Sequence, residues 1–333
     1  RLRGGLAITV VIIGLLLSAS TGIVGASVVL LCTLAFPIMI ERGYSRELGA
    51  GVIAGAGTLG ILIPPSVPFI IYGTIAGVSV SKLFIAGIIP GLMLAGLLLL
   101  VTWVVAKKRN YPRMPRASFK EMLLSFRESV WGLFLIVVVI GGIYSGIFTP
   151  TEAAAMSAAY AFFVSVFVYK DLTLKQVPKV LLDSANLSAM ILYIITNAVL
   201  FSFLLTSEQI PQSLAAWINE MGLSPWTFLI VVNILLLIAG NFMEPSSILL
   251  ITAPILFPVA MKLGIDPIHL GVLMTVNMEI GMITPPLGLN LYVASGIANM
   301  GLTEVTKACA PWILVMLAFL ILITYVPIIS LWL

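Results

Sequence analysis

Long apolar segments separated by short polar stretches dominate this chain, and they predict an all-α integral membrane protein. A helix needs about 20 predominantly apolar residues to cross the hydrocarbon core of a bilayer. Segments that approach or exceed this length lie at 84–106, 130–147, 153–169, 187–205 and 311–333. We predict a membrane span over each of these five ranges.

Two further apolar segments, 48–77 and 268–297, each contain a Pro-Pro pair near the middle. Two consecutive prolines remove two backbone donors and clash with the preceding helical turn. Each segment is therefore predicted to be a broken helix, in which unwound backbone joins two half-helices. Unwound backbone is tolerated in a membrane only where protein buries it or where it lines a wet cavity. The two breaks are therefore candidate functional positions.

Two pairs of short apolar arms flank a polar tip, a pattern that predicts re-entrant helical hairpins. Such hairpins enter the membrane and leave it on the same side. The first is predicted over 6–41, with its tip at 18–27, and the second over 226–263, with its tip at 241–247.

An internal repeat relates these elements. Phe36-Pro37 recurs 221 residues later as Phe257-Pro258, and Pro64-Pro65 recurs at the same interval as Pro285-Pro286. Matches of glycine and proline are informative because these residues fix backbone geometry. The same interval also relates three single-residue pairs: Gly43 and Gly264, Gly60 and Gly281, and Pro90 and Pro311.

The duplication predicts a first repeat over 1–106, a linker over 107–129 and a second repeat over 130–333. Four spans separate the two broken helices, so the broken helices start from opposite sides of the membrane and the repeats are inverted. Shifting position 130 back by 221 gives −91. If the duplication is complete, about 90 further residues are expected before Arg1, so the first repeat is predicted to be truncated at its N-terminus.

Composition agrees with the membrane prediction. Hydrophobic residues make up 61% of the chain and charged residues 9%, against about 25% charged residues in a soluble domain, and the mean hydropathy is +1.18. The linker 107–129 holds seven Lys or Arg residues and two Glu residues. By the positive-inside rule this loop is predicted to be cytoplasmic, which places the C-terminus in the periplasm. We expect the loop to set topology or to contact anionic lipid, and we expect no nucleic-acid partner.

Inverted repeats with broken helices are typical of secondary transporters, whose sites lie near the membrane midplane where half-helix ends meet. Helix N-termini suit a carboxylate, and carbonyl oxygens freed at a break suit sodium. For any single residue, the alternative is that small polar residues only help helices to approach each other. The predicted substrate-binding residues are Ser20, Thr58, Ser66, Ser246, Asn277 and Asn290. The predicted sodium-binding residues are Thr21, Gly22, Gly60, Ile63, Pro64, Asn241, Gly281, Thr284 and Pro285.

Three acidic residues require separate interpretation. Glu279 lies in the first half of a broken helix and Glu244 lies at a hairpin tip, and an ionisable group inside a membrane is a functional hypothesis. Glu244 could instead cap the following arm. Glu152 fits the start of a helix, with Thr149 as N-cap and Pro150 at the first helical position. His269 alone is weak evidence for a proton relay.

The sequence contains no recognisable metal-ligand cluster, nucleotide-binding loop or pair of nucleophile and base. We therefore predict that the chain is not an enzyme and uses no cofactor, with sodium as the coupling ion.

Four motifs resemble the large membrane subunit of tripartite ATP-independent periplasmic transporters. They are GILIPPSVP at 60–68, GIFTPTEAAA at 146–155, GNFME at 240–244, and GIDP at 264–267 followed by Asn277 and ITPP at 283–286. The resemblance covers essentially the whole chain. One departure is the first tip, STGIVG at 20–25, where many members of the family have a tip of the Ser-Gly-Ser type.

The resemblance implies an elevator-type sodium symporter in the bacterial cytoplasmic membrane. It implies two protein partners: a small four-helix membrane subunit, and a soluble periplasmic binding protein that delivers a small carboxylate. The resemblance also implies that the sodium sites of the family correspond to the hairpin tips and the two breaks of this chain. Two alternatives remain open at this point: a stand-alone sodium/dicarboxylate-type symporter that needs no binding protein, and a passive channel or scaffold subunit.

Overall fold

The structure is a computed structural model that describes residues 3–21, 24–111, 118–209, 213 and 224–332. Within these ranges the chain folds almost entirely into helices. They are α1 (Gly5–Thr21), α2 (Val24–Glu41), α3 (Arg46–Thr58), α4 (Val67–Ala76), α5 (Val80–Lys108), α6 (Phe119–Ile136), α7 (Pro150–Phe163), α8 (Val177–Ser207), α9 (Pro225–Gly240), α10 (Pro245–Lys262), α11 (Pro267–Gly281), α12 (Leu289–Ala298) and α13 (Leu302–Tyr325).

Five helices in the described ranges are long and apolar enough to cross a membrane. They span Val80–Lys108, Phe119–Tyr144, Pro150–Val168, Pro245–Lys262 and Leu302–Tyr325. The protein is therefore a multi-pass membrane protein by the length and composition of its helices. Helices α9, α4 and α12 are also apolar but shorter than this.

The chain divides into two compact units. Unit 1 comprises Arg1–Arg116 and Gln209–Leu333, and unit 2 comprises Ala117–Glu208. Unit 1 thus takes helices from both of the predicted repeats, whereas unit 2 consists of α6, α7 and α8. The repeat boundaries at 106 and 130 stay a prediction, because the division of the chain into compact units does not test whether the sequence arose by duplication.

Helix starts in this fold follow from local side-chain chemistry. Before α9, α10 and α11, a side-chain oxygen of Ser224, Glu244 or Asp266 accepts a hydrogen bond from a backbone N–H of the first turn, and a proline follows directly. Proline suits the first helical position because its missing N–H would have no partner there. The polar residue before each proline thus sets where these helices begin.

The same chemistry accounts for Glu152. The Thr149 hydroxyl accepts from the Glu152 backbone N–H at 3.3 Å, and the Glu152 carboxylate accepts from the Thr149 N–H at 2.8 Å. This reciprocal capping box starts α7 at Pro150. The predicted structural role of Glu152 is confirmed.

In unit 1, both segments with a Pro-Pro pair are interrupted at the prolines. Helix α3 ends at Thr58, a short 3-10 turn covers Leu59–Ile61, and α4 begins at Val67. Helix α11 ends at Gly281 and α12 begins at Leu289. The Pro64-Pro65 and Pro285-Pro286 peptide bonds are both cis. We call 59–66 the first break and 282–288 the second break.

Helices around the two breaks contact one another in matching pairs. Helices α1 and α2 contact α3, and α9 and α10 contact α11. Helix α10 contacts α4, and α2 contacts α12. Gly43 and Gly264, which follow α2 and α10, both have positive φ, at 81° and 73°. The first half of each interrupted helix therefore lies beside the arms of its own predicted repeat, and the second half lies beside an arm of the other repeat.

Close helix contacts in unit 1 depend on glycine, which has no side chain. A Cβ on Gly51 of α3 would lie 2.7 Å from the ring of Trp312 and 2.9 Å from the carbonyl oxygen of Ala308, both on α13. Trp312 is buried, and its indole N–H donates to Thr102 of α5 at 3.0 Å. Small residues let the backbones of α3 and α13 approach, as is common in membrane helix packing.

Candidate functional site

The end of α9 touches the end of α11 at a pair of glycines. A Cβ on Gly281 would lie 2.5 Å from Cα of Gly240, and a Cβ on Gly240 would lie 3.0 Å from Cα of Gly281. The separation at Gly281 is too short for a side chain, and the separation at Gly240 leaves almost no room for one. The second tip and the second break therefore meet backbone to backbone.

A main-chain hydrogen bond reinforces this contact. The Gly288 N–H donates to the Asn241 carbonyl at 3.1 Å, which joins the tip to the far end of the second break. Gly288 has φ of +53°, and a Cβ there would lie 2.8 Å from the carbonyl oxygen of Thr284. The left-handed backbone and the close carbonyl both favour glycine at this position.

A chain of polar side chains runs beside the second break. The Asn277 side-chain amide donates to Oδ1 of the Asn233 side chain at 2.8 Å, and the Asn233 side-chain amide donates to the Thr324 hydroxyl at 2.9 Å. Sequence reasoning missed Asn233 and Thr324. Asn233 could have been found, because it is the one amide in the apolar arm 225–240. Thr324 offered no comparable pattern within α13.

Several buried polar atoms around the second break have no hydrogen-bond partner among the described residues. They are Asn241 Oδ1, Asn277 Oδ1, both amide atoms of Asn290, and both carboxyl oxygens of Glu279. Asn277, Glu279 and Asn290 are fully buried. Native proteins seldom leave buried polar atoms unpaired without an ion, a water molecule or a functional reason. The second break is therefore chemically equipped to take up a polar or charged ligand.

The first break satisfies its polar side chains internally. The Thr58 hydroxyl donates to the Gly55 carbonyl at 2.8 Å, and the Ser66 hydroxyl donates to the Ile61 carbonyl at 2.5 Å. Ser66 also accepts from the Phe69 N–H at 3.3 Å and so caps α4.

Glycine packing at the first break is looser than at the second. A Cβ on Gly60 would find its nearest neighbours, on Ser27 and Val24, at an ordinary 3.6 Å. Ile63 packs against α5, where a Cβ on Gly91 would lie 2.6 Å from its side chain. Pro64 forms the cis bond to Pro65.

The remaining predicted residues divide into three groups. The side chains of Ser20 and Thr21, and the whole of Gly22, lie outside the described residues. Ser246 donates to the Glu244 carboxylate at 2.7 Å, and that carboxylate accepts from the Ser247 N–H at 3.2 Å. The Thr284 hydroxyl donates to the Ile280 carbonyl at 2.6 Å, next to Pro285.

These contacts give Glu244 the alternative role, since it caps α10. Ser246 belongs to the same cap. The structure brings Asn241, Asn277, Gly281 and Thr284 into one neighbourhood, while their roles in binding stay predictions.

His269 lies away from the second break. It stands in the first turn of α11, about 18 Å along the helix from Gly281 at 1.5 Å per residue. Its Nδ1 lies 2.6 Å from the Ser330 hydroxyl, which ties the start of α11 to the C-terminal segment. In the part of the chain that the structure describes, no group of three or more His, Cys, Asp or Glu residues could hold a metal ion.

Comparison with known proteins gives a consistent result over the whole chain. Residues 1–329 match the family model described as tripartite ATP-independent periplasmic transporter, DctM component. The chain is 60% identical to the C4-dicarboxylate TRAP transporter large permease protein DctM of Rhodobacter capsulatus, over 99% of this chain and 78% of that protein. It is 55% identical to the protein of the same name from Pseudomonas aeruginosa, again over 99% and 78%. A more distant relative is the sialic acid TRAP transporter large permease protein SiaM of Vibrio cholerae, 36% identical over 98% of this chain and 77% of that protein.

Proposed function

The chain belongs to the DctM component family of tripartite ATP-independent periplasmic transporters, and on that premise we propose that it takes up C4-dicarboxylates by sodium-coupled symport. The relatives are transporter permeases, not enzymes. The observation that carries the substrate class is the 60% identity, over nearly the whole chain, to a permease named for C4-dicarboxylates. A relative named for sialic acid is only 36% identical.

Sodium coupling is supported by the chemistry of the second break. Sodium is a hard cation that prefers oxygen ligands, and the helix ends and the tip beside the second break carry buried carboxyl and amide oxygens without partners among the described residues. The backbone contact between Gly240 and Gly281 joins these oxygens to a hairpin tip. A cation bound there would therefore link the position of the tip to the state of the break.

Alternating access of the elevator type is the proposed mechanism, with unit 1 carrying the ion and substrate sites. Helix α10 contacts α4, and α2 contacts α12. A two-fold axis that exchanges the two repeats would turn the first contact into the second, so the pair of contacts supports an inverted repeat. The two interrupted helices and the two positive-φ glycines at an interval of 221 support the same proposal. In other transporters such repeats form a site near the membrane midplane.

Family membership also supports the proposed partners and location. We propose that a small membrane subunit and a periplasmic binding protein complete the transporter, as the tripartite name of the family implies. The proposed location is the bacterial inner membrane, with loop 107–129 in the cytoplasm because of its basic residues and with the C-terminus in the periplasm.

Uptake by reconstituted liposomes tests this proposal. The chain, its small membrane subunit and the binding protein would be combined, and uptake of labelled succinate measured with and without an inward sodium gradient. We expect uptake to require both the gradient and the binding protein. Uptake with sodium alone would favour a stand-alone symporter, and uptake that ignores the gradient would overturn sodium coupling.

A further inference from the structure

A protein side chain can bind a carboxylate only through hydrogen-bond donors that the fold has not already used. The oxygens of a carboxylate accept hydrogen bonds and cannot donate them. Of the six residues predicted to bind the substrate, five have side chains that the structure describes: Thr58, Ser66, Ser246, Asn277 and Asn290. The hydrogen bonds of these five side chains therefore show which of them has a donor left for a ligand.

The three hydroxyl groups of this set have no donor left. A hydroxyl group donates one hydrogen bond. Thr58 and Ser66 donate to main-chain carbonyl oxygens of their own segment at 2.8 and 2.5 Å, and Ser246 donates to the Glu244 carboxylate at 2.7 Å. One of these bonds would have to break before any of the three hydroxyl groups could donate to a substrate.

Asn277 has also used both of its side-chain donors. Its Nδ2 donates to Oδ1 of Asn233 and to the Leu273 carbonyl oxygen, both at 2.8 Å. Turning the amide over would place Oδ1 of Asn277 against the Leu273 carbonyl, which can only accept. The carbonyl therefore fixes the orientation of the amide. The amide atom left without a partner among the described residues is Oδ1, an acceptor that cannot bind a carboxylate.

Asn290 differs from the other four side chains because its donors are unused. It is fully buried, and neither Nδ2 nor Oδ1 has a hydrogen-bond partner among the described residues. It stands in the first turn of α12, where its main-chain N–H donates to the Met282 carbonyl oxygen at 3.0 Å. The positive end of the helix dipole lies at this N-terminus. Free amide donors and a favourable dipole thus occur at one position.

The second interrupted helix has no basic side chain that could bind the carboxylate instead. Residues 267–298 contain neither Lys nor Arg. A carboxylate bound along this segment would depend on neutral donors and on the helix N-terminus. A buried donor without an acceptor is costly, so a ligand that accepts from Asn290 would remove this cost.

We propose that the side-chain amide of Asn290 donates to a carboxylate group of the transported C4-dicarboxylate, whereas Asn277 does not contact that carboxylate. The inference rests on the proposed function and names the side chain that recognises the substrate. A hydrogen bond to a charged acceptor is stronger than one between neutral groups, and the N-terminus of α12 adds a favourable field.

The test compares two substitutions at each asparagine in the reconstituted transporter. Leucine removes the donors at similar volume, and aspartate keeps the shape but replaces the donors by a negative charge. Asn290→Leu should raise the half-saturating succinate concentration about tenfold or more, the loss expected for a hydrogen bond to a charged group. Asn290→Asp should raise it further, because two carboxylates repel in surroundings of low dielectric constant.

The opposite order is expected at Asn277. Asn277→Asp keeps an acceptor and should take up succinate no less well than Asn277→Leu. The same binding protein serves every variant, so its own selectivity cancels in the comparison. Asn299→Asp changes an exposed asparagine just after α12 and is the matched control. It should behave like the unchanged protein.

A second measurement detects binding without transport. Succinate should raise the melting temperature of the purified transporter in the presence of sodium, because a ligand that binds the folded state stabilises it. This rise should be lost in Asn290→Leu and kept in Asn277→Leu. If Asn290→Asp does not fold, the comparison of the two leucine variants carries the test.

Three results would overturn the assignment. An unchanged succinate dependence in folded Asn290→Leu would remove Asn290 from the substrate site while leaving the proposed uptake intact. A changed sodium dependence with unchanged succinate dependence would make Asn290 a residue of an ion site. If the unchanged protein takes up no succinate, the proposed function fails first, and the assignment of Asn290 fails with it.

Discussion

The two breaks of unit 1 both lie at a Pro-Pro pair, yet they treat their polar groups in opposite ways. At the first break, Thr58 and Ser66 bond to carbonyl oxygens of their own segment. At the second, Glu279 and Asn290 are fully buried without partners among the described residues. Among the described residues, the polar side chains at the first break are paired, whereas several beside the second break have no partner. Repetition of a backbone pattern therefore does not imply repetition of its chemistry.

Glycine packing is also tighter at the second break than at the first. A Cβ at Gly281 would meet the backbone of Gly240 at 2.5 Å, while a Cβ at Gly60 would find its nearest neighbours at 3.6 Å. Gly240 is thus in direct backbone contact with Gly281, whereas the described neighbours of Gly60 lie at ordinary contact distances. We expect substitutions at the second break to have the larger effects.

The largest expected effect is that of Gly281→Ala compared with Gly60→Ala. The added methyl group at Gly281 would collide with backbone, which cannot move aside without separating α9 from α11. Overpacking of this kind costs about 1–3 kcal/mol, and we expect uptake to fall about tenfold or more. Gly60→Ala should reduce uptake less and should leave the melting temperature nearly unchanged. Equal losses in the two variants would show that the close contact of the glycines is not what distinguishes the breaks.

Gly288→Ala should have the next largest effect, with Val67→Ala, at the equivalent position directly after the first break, as its counterpart. Alanine at Gly288 would have to adopt a φ of +53° and approach the Thr284 carbonyl oxygen at 2.8 Å. A left-handed conformation costs a residue other than glycine about 1–2 kcal/mol, and the close contact adds to this. Thermal melting in detergent would measure the difference. A Val67→Ala variant that melts lower than Gly288→Ala would contradict the expectation.

Asn233→Leu should destabilise the second break by about 1–3 kcal/mol, because it leaves the buried Asn277 amide without one of its acceptors. The Asn277 amide would keep its bond to the Leu273 carbonyl at 2.8 Å, which limits the loss. A double-mutant cycle with Asn277→Leu isolates the pair: the double variant should lose less stability than the sum of the two single variants. Strict additivity would mean that the two amides do not interact.

The smallest expected effect is that of Ser66→Ala at the first break. Loss of a helix cap costs about 1 kcal/mol, and no buried charge or side-chain amide is left unpaired. Ser66→Thr keeps the hydroxyl and should melt close to the unchanged protein. If Ser66→Ala instead abolished uptake while the chain stayed folded, Ser66 would act in binding, and the first break would resemble the second more closely than its hydrogen bonds suggest.

Much of the local structure could be predicted because its causes are local. The interruptions at Pro64-Pro65 and Pro285-Pro286 follow from missing backbone donors, wherever the segments lie in space. The start of α7 follows from Thr149 and Glu152, which are three residues apart. The neighbourhood of Asn277 could be predicted only in part, because its partner Asn233 lies 44 residues away. Pairing over such distances depends on which helices pack together.

Taken alone, the sequence determined the membrane class, the helices, the positions of both breaks and the family, since these depend on hydropathy, on proline and glycine, and on motifs in order. Tertiary structure decided which polar groups find partners. Glu244 and Ser246 are candidates for binding, and contacts within the tip show that they also form a helix cap, while their role in binding stays a prediction. Glu279 could equally have been paired, and the packing around α11 left it alone among the described residues. Burial and pairing are properties of the assembled fold, because they depend on neighbours that sequence spacing does not specify.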